Sequence, residues 1–185
     1  GIAGIHNHQW NHVAVVRNGS SWVIYVNGVS RATRTGSDTL VDWSYPVRFG
    51  SLWHSSGPYR EWKGYMNEMR ISNTARYTAA FDPPTAQFTP DANTKLLIHA
   101  DGAPVAAQGN IFQDFSESAP RHTITAVGNA TNTRISNTLF ETQADGYQST
   151  ASTAHIIGPK VGSSAISADA SGDYITVPSS SAWAW

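Results

Sequence analysis

Hydrolysis of a glycosidic bond needs two carboxyl groups flanking the sugar, one as acid and one as base or nucleophile. The glutamates that could supply them are Glu61, Glu68, Glu117 and Glu141. Glu61 and Glu68 lie seven positions apart across a predicted loop-to-strand junction, a spacing that does not by itself set two acids across a ring. No catalytic residue is assigned. His6-Asn7-His8 could present two imidazoles on one strand face to a metal, but no third ligand follows nearby, and the segment reads as an exposed loop. Its letters also occur in a nuclease motif whose basic surface and further metal ligands are missing here. Without cysteine there is no zinc–thiolate site and no thiol nucleophile. The richest group is Trp53, His54, Tyr59, Arg60 and Trp62, within a stretch of Gly and Ser. Aromatic faces stack on the apolar faces of sugar rings while Arg and His donate to hydroxyls, so this group is the predicted carbohydrate-binding site. The competing reading makes Trp53 and Trp62 core anchors at strand ends.

These residues must be carried by strands and turns. Only 14% of the 185 residues are charged and 40% are hydrophobic, with seven Trp and seven Tyr. The polar surface therefore falls to Ser, Thr, Asn and Gly, a composition of strands and turns. Residues 12–17 and 22–26 form a predicted hairpin around Asn18-Gly19, closed by a second turn at Asn27-Gly28, since Asn-Gly accepts the positive φ of tight turns. In 22–26, Trp22, Ile24 and Val26 alternate with Val23 and Tyr25, giving two apolar faces and a strand deep in a sandwich. Further strands are predicted at 47–49, 64–72, 95–99, 122–126 and 134–136, with 51–62 a loop. Residues 164–168 and 174–177 read as a hairpin joined by Ala170-Ser171-Gly172-Asp173. Residues 73–80 read as one helical turn stopped by Asp82-Pro83-Pro84, and 85–93 as a linker. Trp22, Ile24, Val26, Ile71, Leu97 and Ile175 are the predicted core, with 64–72 in the same body as the first hairpin.

Trp10-Asn11-His12-Val13-Ala14-Val15-Val16-Arg17, leading to Ile24-Tyr25-Val26-Asn27-Gly28, resembles the paired central strands of laminin-G-like and concanavalin A-like lectin/glucanase domains. Gly64-Tyr65-Met66-Asn67-Glu68-Met69-Arg70-Ile71-Ser72, with Ala75-Arg76-Tyr77 and residues 81–84, is similar to the closing strand and tail of that family, in the form met in phage tail-fibre and other virion proteins. Thr94-Lys95-Leu96-Leu97-Ile98-His99 and Asp101-Gly102 resemble its first strand, and Asp114, Ser116 and residues 122–126 the segment after it. Lys160, residues 162–165 and residues 171–178 resemble the next hairpin, although Val161 and Ala168 stand where the family usually carries Phe, and the polar stretch 137–157 has no counterpart. The order is inverted. Residues 1–90 correspond to a closing half and 91–185 to the opening half of the next sandwich in a tandem array, or of the same sandwich permuted. The resemblance thus implies an all-β, antiparallel two-sheet jelly-roll sandwich, incomplete or permuted, with a missing inner strand supplied by further residues or another chain.

For function, the resemblance implies a non-enzymatic carbohydrate-binding or adhesion module of a larger, viral assembly, on a virion or extracellular surface. Its expected partners are a glycan or neighbouring virion subunits, including copies of itself. One alternative is a purely structural capsid-decoration or fibre domain. The other is a glycoside hydrolase, which on this sandwich usually carries an E-x-D-x-E strand absent here. The net charge of −1, without a run of Lys or Arg, gives no electrostatic footprint for nucleic acid. No apolar run approaches the ~20 residues of a spanning helix, so membrane insertion is not expected. No cofactor is assigned. Many relatives hold calcium at the sandwich rim, for which Asp42, Asp101 and Asp173 are the candidates, but Asp101-Gly102 and Gly172-Asp173 serve equally as turns, and the metal stays open.

Overall fold

The computed structural model describes residues 3–6, 9–37, 45–54, 57–59, 61–100, 112–134, 164–169 and 172–179, and every helix or strand among them is a strand. In chain order these are β1 (Val13–Asn18), β2 (Ser21–Val26), β3 (Val29–Thr35), β4 (Val47–Phe49), β5 (Leu52–His54), β6 (Gly57–Tyr59) and β7 (Lys63–Met66). There follow β8 (Met69–Ser72), β9 (Thr94–Ile98), β10 (Thr125–Val127), β11 (Thr131–Arg134), β12 (Ser164–Asp169) and β13 (Tyr174–Val177). All pairings among them are antiparallel, as the resemblance implies. The chain divides into two compact units: Gly1–Thr39, Thr74–Thr85 and Ser136–Lys160 form one, and Leu40–Asn73, Ala86–Ile135 and Val161–Trp185 the other.

In the first unit, β1, β2 and β3 make a three-stranded meander. Asn18 pairs with Ser21, so the first turn is centred on Gly19-Ser20, one residue later than the sequence reading; Gly19 has φ +59° and Ser20 has no positive φ, as in a II′ turn. Asn27 and Gly28 have φ values of +51° and +77°, as an I′ turn requires of both central residues. The Asn27 side chain then joins three segments. Its Oδ1 accepts the His12 N–H at 2.8 Å, and its Nδ2 donates to Asn11 Oδ1 at 3.2 Å and to the Gly4 carbonyl at 3.4 Å. Residues 74–85 lie beside the sheet without the expected helical turn. Tyr77 and Phe81 stack at 3.6 Å, meet His12 and Tyr25 edge-on, and the Phe81 N–H donates to the Gly28 carbonyl at 3.1 Å. Aromatic packing replaces the helix.

The second unit draws strands from both sides of residue 91. One sheet runs β10-β13-β4 and the other β11-β12-β7, with β8 paired to β9. β12 and β13, predicted to pair with each other, therefore lie in different sheets, and so do β10 and β11. The connection from β10 to β11 and the longer one from β4 to β7 pass from the first sheet to the second, and the connection from β12 to β13 passes back. The inner faces meet in one core of Leu96, Ile98, Phe112, Ile124, Ala130, Ile166, Ile175 and Val177, against which Val47, Phe49, Met66, Met69 and Ile71 pack.

At the crossings sits Asp173, wholly buried, whose Oδ1 accepts the Asn129 N–H at 2.5 Å. Gly128 has no room for a side chain because an added Cβ would run into Asp173 Oδ1 and the Gly172 carbonyl. On the opposite side Gly50, at the exit of β4, lies close enough that an added Cβ would come within 3.3 Å of the Asp173 carbonyl. Short polar segments thus stack at one end of the unit.

Several expectations need correction. The single strand predicted over 64–72 is broken into β7 and β8 by Asn67 and Glu68, the latter at φ +52°, and belongs to the second unit, whereas the first hairpin belongs to the first. Val26, Leu97 and Ile175 are buried as predicted, whereas Trp22, Ile24 and Ile71 are half-buried. β10 starts at Thr125, three residues later than the strand predicted at 122–126, and β11 starts at Thr131, three residues earlier than that predicted at 134–136. The stretch 51–62 contains the hairpin β5–β6 rather than only a loop.

The two turns separate backbone strain from steric conflict. Gly19 has nothing within 4 Å of an added Cβ, whereas at Gly28 that atom would overlap the Phe81 carbonyl. Gly19→Ala should cost about 1 kcal/mol, from the positive φ alone. Gly28→Ala should cost clearly more, above ~2 kcal/mol, because residues 74–85 must also be displaced. Urea titration of the two variants checks the order.

Candidate functional site

The predicted sugar-binding group falls on β5–β6 and the segment following it. Leu52 pairs with Tyr59, Trp53 with Pro58 and His54 with Gly57, so the backbones of Trp53, His54 and Tyr59 belong to one short hairpin. Their side chains, and Arg60 as a whole, lie outside the described residues. At the hairpin's base the Trp62 N–H donates to the Gly50 carbonyl at 2.6 Å. Trp62 is 47% exposed and Leu52 58%. The Trp62 indole nevertheless has a defined seat: its Nε1 would lie 3.3 Å from a Cβ added at Gly64, whose φ is +138°. An aromatic ring held by backbone on one side and open to water elsewhere is suited to stacking on a sugar. That exposure disfavours a core-anchor role for Trp62.

Two carboxylate–histidine pairs lie elsewhere in this unit, and the residue pattern alone did not pair them. Glu68 Oε1 meets His99 Nδ1 at 2.8 Å, while Glu68 Oε2 accepts the Phe88 N–H at 2.9 Å. His99 packs on Phe115 at 4.6 Å, and the Arg70 guanidinium lies 4.0 Å from the centre of the Phe88 ring. Both oxygens of Glu68 are thus engaged in holding loops to β9. Glu61 is half-buried, Glu117 is exposed, and Glu141 lies outside the described residues.

The second pair is deeper. Asp114 Oδ1 accepts the N–H groups of Leu97 at 3.1 Å and Ser116 at 2.8 Å; Oδ2 accepts the His122 N–H at 3.1 Å and contacts His122 Nδ1 at 2.7 Å. With the carboxylate ionised and able only to accept, Nδ1 must carry the proton. Burial alone would raise the Asp114 pKa, but the hydrogen bonds from Ser116, His122 and Leu97 outweigh it and hold the group below its ordinary 3.8. Asp114, Ser116 and His122 had been marked in the sequence by resemblance; their joint task is to tie residues 114–122 to β9.

Of the metal candidates, Asp42, Asp101 and His8 lie outside the described residues. His6 is exposed, and its backbone is clasped by Asn11, which accepts the His6 N–H at 3.2 Å and donates to the His6 carbonyl at 2.8 Å. Asp173 serves the sheet crossings. Among the described residues, no group of three or more His, Cys, Asp or Glu is placed to hold a metal ion. No helix is long and apolar enough to cross a membrane among them.

Residues 3–80 match the family model of the concanavalin A-like lectin/glucanases superfamily. The match covers β1 to β8, with Trp62 and Tyr77, and ends just before Phe81. Comparison with curated proteins and with solved structures finds no match.

Asp114 makes the fold sensitive to acid. A carboxyl group with a depressed folded-state pKa stabilises the fold fully above its ordinary range, and that stability is lost as pH falls below 3.8 through the lower folded value. Asp114→Ala should cost about 3 kcal/mol at pH 7 by stranding buried N–H groups. The difference in denaturation free energy between wild type and variant should shrink as the pH is lowered from 5 towards 2.

Proposed function

We propose that this chain is a carbohydrate-binding or adhesion module that performs no chemistry of its own and contacts its glycan through the β5–β6 hairpin and Trp62. The observation that carries this reading is the exposed indole of Trp62, seated on Gly64 at the base of a hairpin rich in aromatic residues. The superfamily match over residues 3–80 supports the same class of ligand. The non-catalytic part of the reading is supported by Glu68, whose carboxylate oxygens both serve structural contacts. The setting is a larger assembly on a virion or extracellular surface, in which several copies are displayed together. This rests on the likeness of residues 64–84 to virion fibre proteins.

A purely structural fibre or capsid-decoration role is the second reading. It draws on β3, all seven residues of which are exposed at the edge of its sheet. A glycan array separates the two. Binding predicts signal that Trp62→Ala weakens about tenfold or more without lowering the melting temperature. A blank array, with Trp62 shielded from solvent in the assembled particle, would favour the structural role. Release of reducing ends from any bound glycan would contradict the absence of chemistry.

A further inference from the structure

Strand register sets Arg17, Trp22 and Arg34 in one row across β1, β2 and β3. Directly opposed residues on neighbouring strands share a face, so two guanidinium-bearing side chains flank one indole. Their Cα atoms are two strand spacings, or about 10 Å, apart. The Arg17 guanidinium lies 5.4 Å from the centre of the Trp22 ring, and its Nε donates to the Gly19 carbonyl at 3.1 Å, which pins it at the turn end of the sheet. Arg34 is exposed with the rest of β3. The same face continues along β1 into Val15 and Val13, which are 66% and 50% exposed.

Charge along the chain is segregated to match. Residues 1–37 contain Arg17, Arg31 and Arg34 and no Asp or Glu. The whole chain has 12 Lys and Arg against 13 Asp and Glu, so the remainder carries nine basic residues against 13 acidic ones. A near-neutral total conceals a cationic sheet.

We infer that this row is a binding site for an anionic polysaccharide, whose recurring carboxylate or sulfate groups engage Arg17 and Arg34 while a neighbouring ring rests on Val15 and Val13 beside Arg17. Guanidinium groups suit this task because their planar fork donates two parallel hydrogen bonds to a carboxylate or sulfate. Two charges carried two strands apart select a polymer with repeating charge over a single small anion. Nucleic acid fits less well. Arg17 covers the Trp22 ring that a single strand would need for base stacking, and a few arginines beside an acidic remainder neutralise few phosphates of a duplex. The inference takes its ligand class from the glycan-binding reading, but it uses residues of the first unit and does not depend on Trp62.

The test is calorimetric titration of the intact chain with polygalacturonate, dextran sulfate, neutral dextran and a mixed-sequence single-stranded oligonucleotide, at low and moderate salt. Either acidic polysaccharide should bind, with affinity falling as salt rises, and neutral dextran should not bind at this face. Comparing the two polymers distinguishes a carboxylate from a sulfate ligand. The double variant Arg17→Gln/Arg34→Gln should weaken binding at least tenfold at an unchanged melting temperature; Arg17→Lys/Arg34→Lys should recover part of it, and Trp62→Ala should leave it unchanged. Equal affinity of wild type and the Gln double variant, or no binding of either acidic polymer, overturns the proposal. Tighter arginine-dependent binding of the oligonucleotide would assign the face to nucleic acid instead. Loss of self-association in the Gln variant, seen by sedimentation without polymer binding, would assign it to a second copy. Failure of Trp62-dependent glycan binding with these results intact defeats only the hairpin reading.

Discussion

The core of the second unit can close only if the chain passes repeatedly from one sheet to the other at the same end, and the backbone polar groups at those crossings find partners. Asp173 meets that requirement. Its buried carboxyl accepts the Asn129 N–H in the neighbouring crossing, while its own carbonyl lies against Gly50 in the next. A polar group with no water access is expensive unless hydrogen-bonded. The glycines around it are a matching constraint, since a side chain at position 128 would occupy the space of the carboxyl itself. With the crossings stacked, β10, β13 and β4 fall into the same order as β11, β12 and β7, and Ile166, Ile175 and Val177 face a common interior. The β5–β6 hairpin leaves between β4 and β7, so the position of Trp62 follows from this arrangement.

The first unit solves a smaller problem with local chemistry. A three-stranded meander has little interior of its own and is stable only with an apolar face to pack. Asn27 compensates by fastening its turn to the segments at Gly4, Asn11 and His12, and the Tyr77–Phe81 stack covers Tyr25. The other face keeps Val13 and Val15 exposed and carries Arg17 and Arg34, with Val26 buried opposite Val13 at its other end. The turn-proximal part of that face, around Arg17, Val15 and Arg34, is left available for contact.

The legible part of this fold was what local chemistry determines. Asn27-Gly28 fixed a turn, alternating apolar residues located β2, a run of β-forming residues located β9, and composition gave the class. The hairpin assumed for 164–168 and 174–177 failed because a short connection rich in Gly and Asp serves a sheet-to-sheet crossing as well as a tight turn; the distinction lies in the buried environment of Asp173, which no local pattern encodes. The helical turn assumed at 73–80 failed because stacking of Tyr77 on Phe81 overrode a short polar signal. At the candidate site, residue types pointed to the aromatic stretch, and the hairpin register and the seat of Trp62 came only with the fold. The Arg17–Trp22–Arg34 row was invisible as a cluster because its members are separated along the chain and become neighbours through register alone.

The central structural claim is that strands from either side of residue 91 complete one core, and β4 with β13 states it most directly. Arg48 lies opposite Thr176 in that pair. Opposed Cα atoms in an antiparallel ladder are ~4.5–5.5 Å apart, within the ~4.4–6.8 Å span of a disulfide. The chain contains no cysteine, so Arg48→Cys/Thr176→Cys introduces a single pair. Under mild oxidation, peptide mapping should find the two joined within one chain, with a higher melting temperature than the reduced form. No cross-link, or one found only between separate chains, would contradict the account.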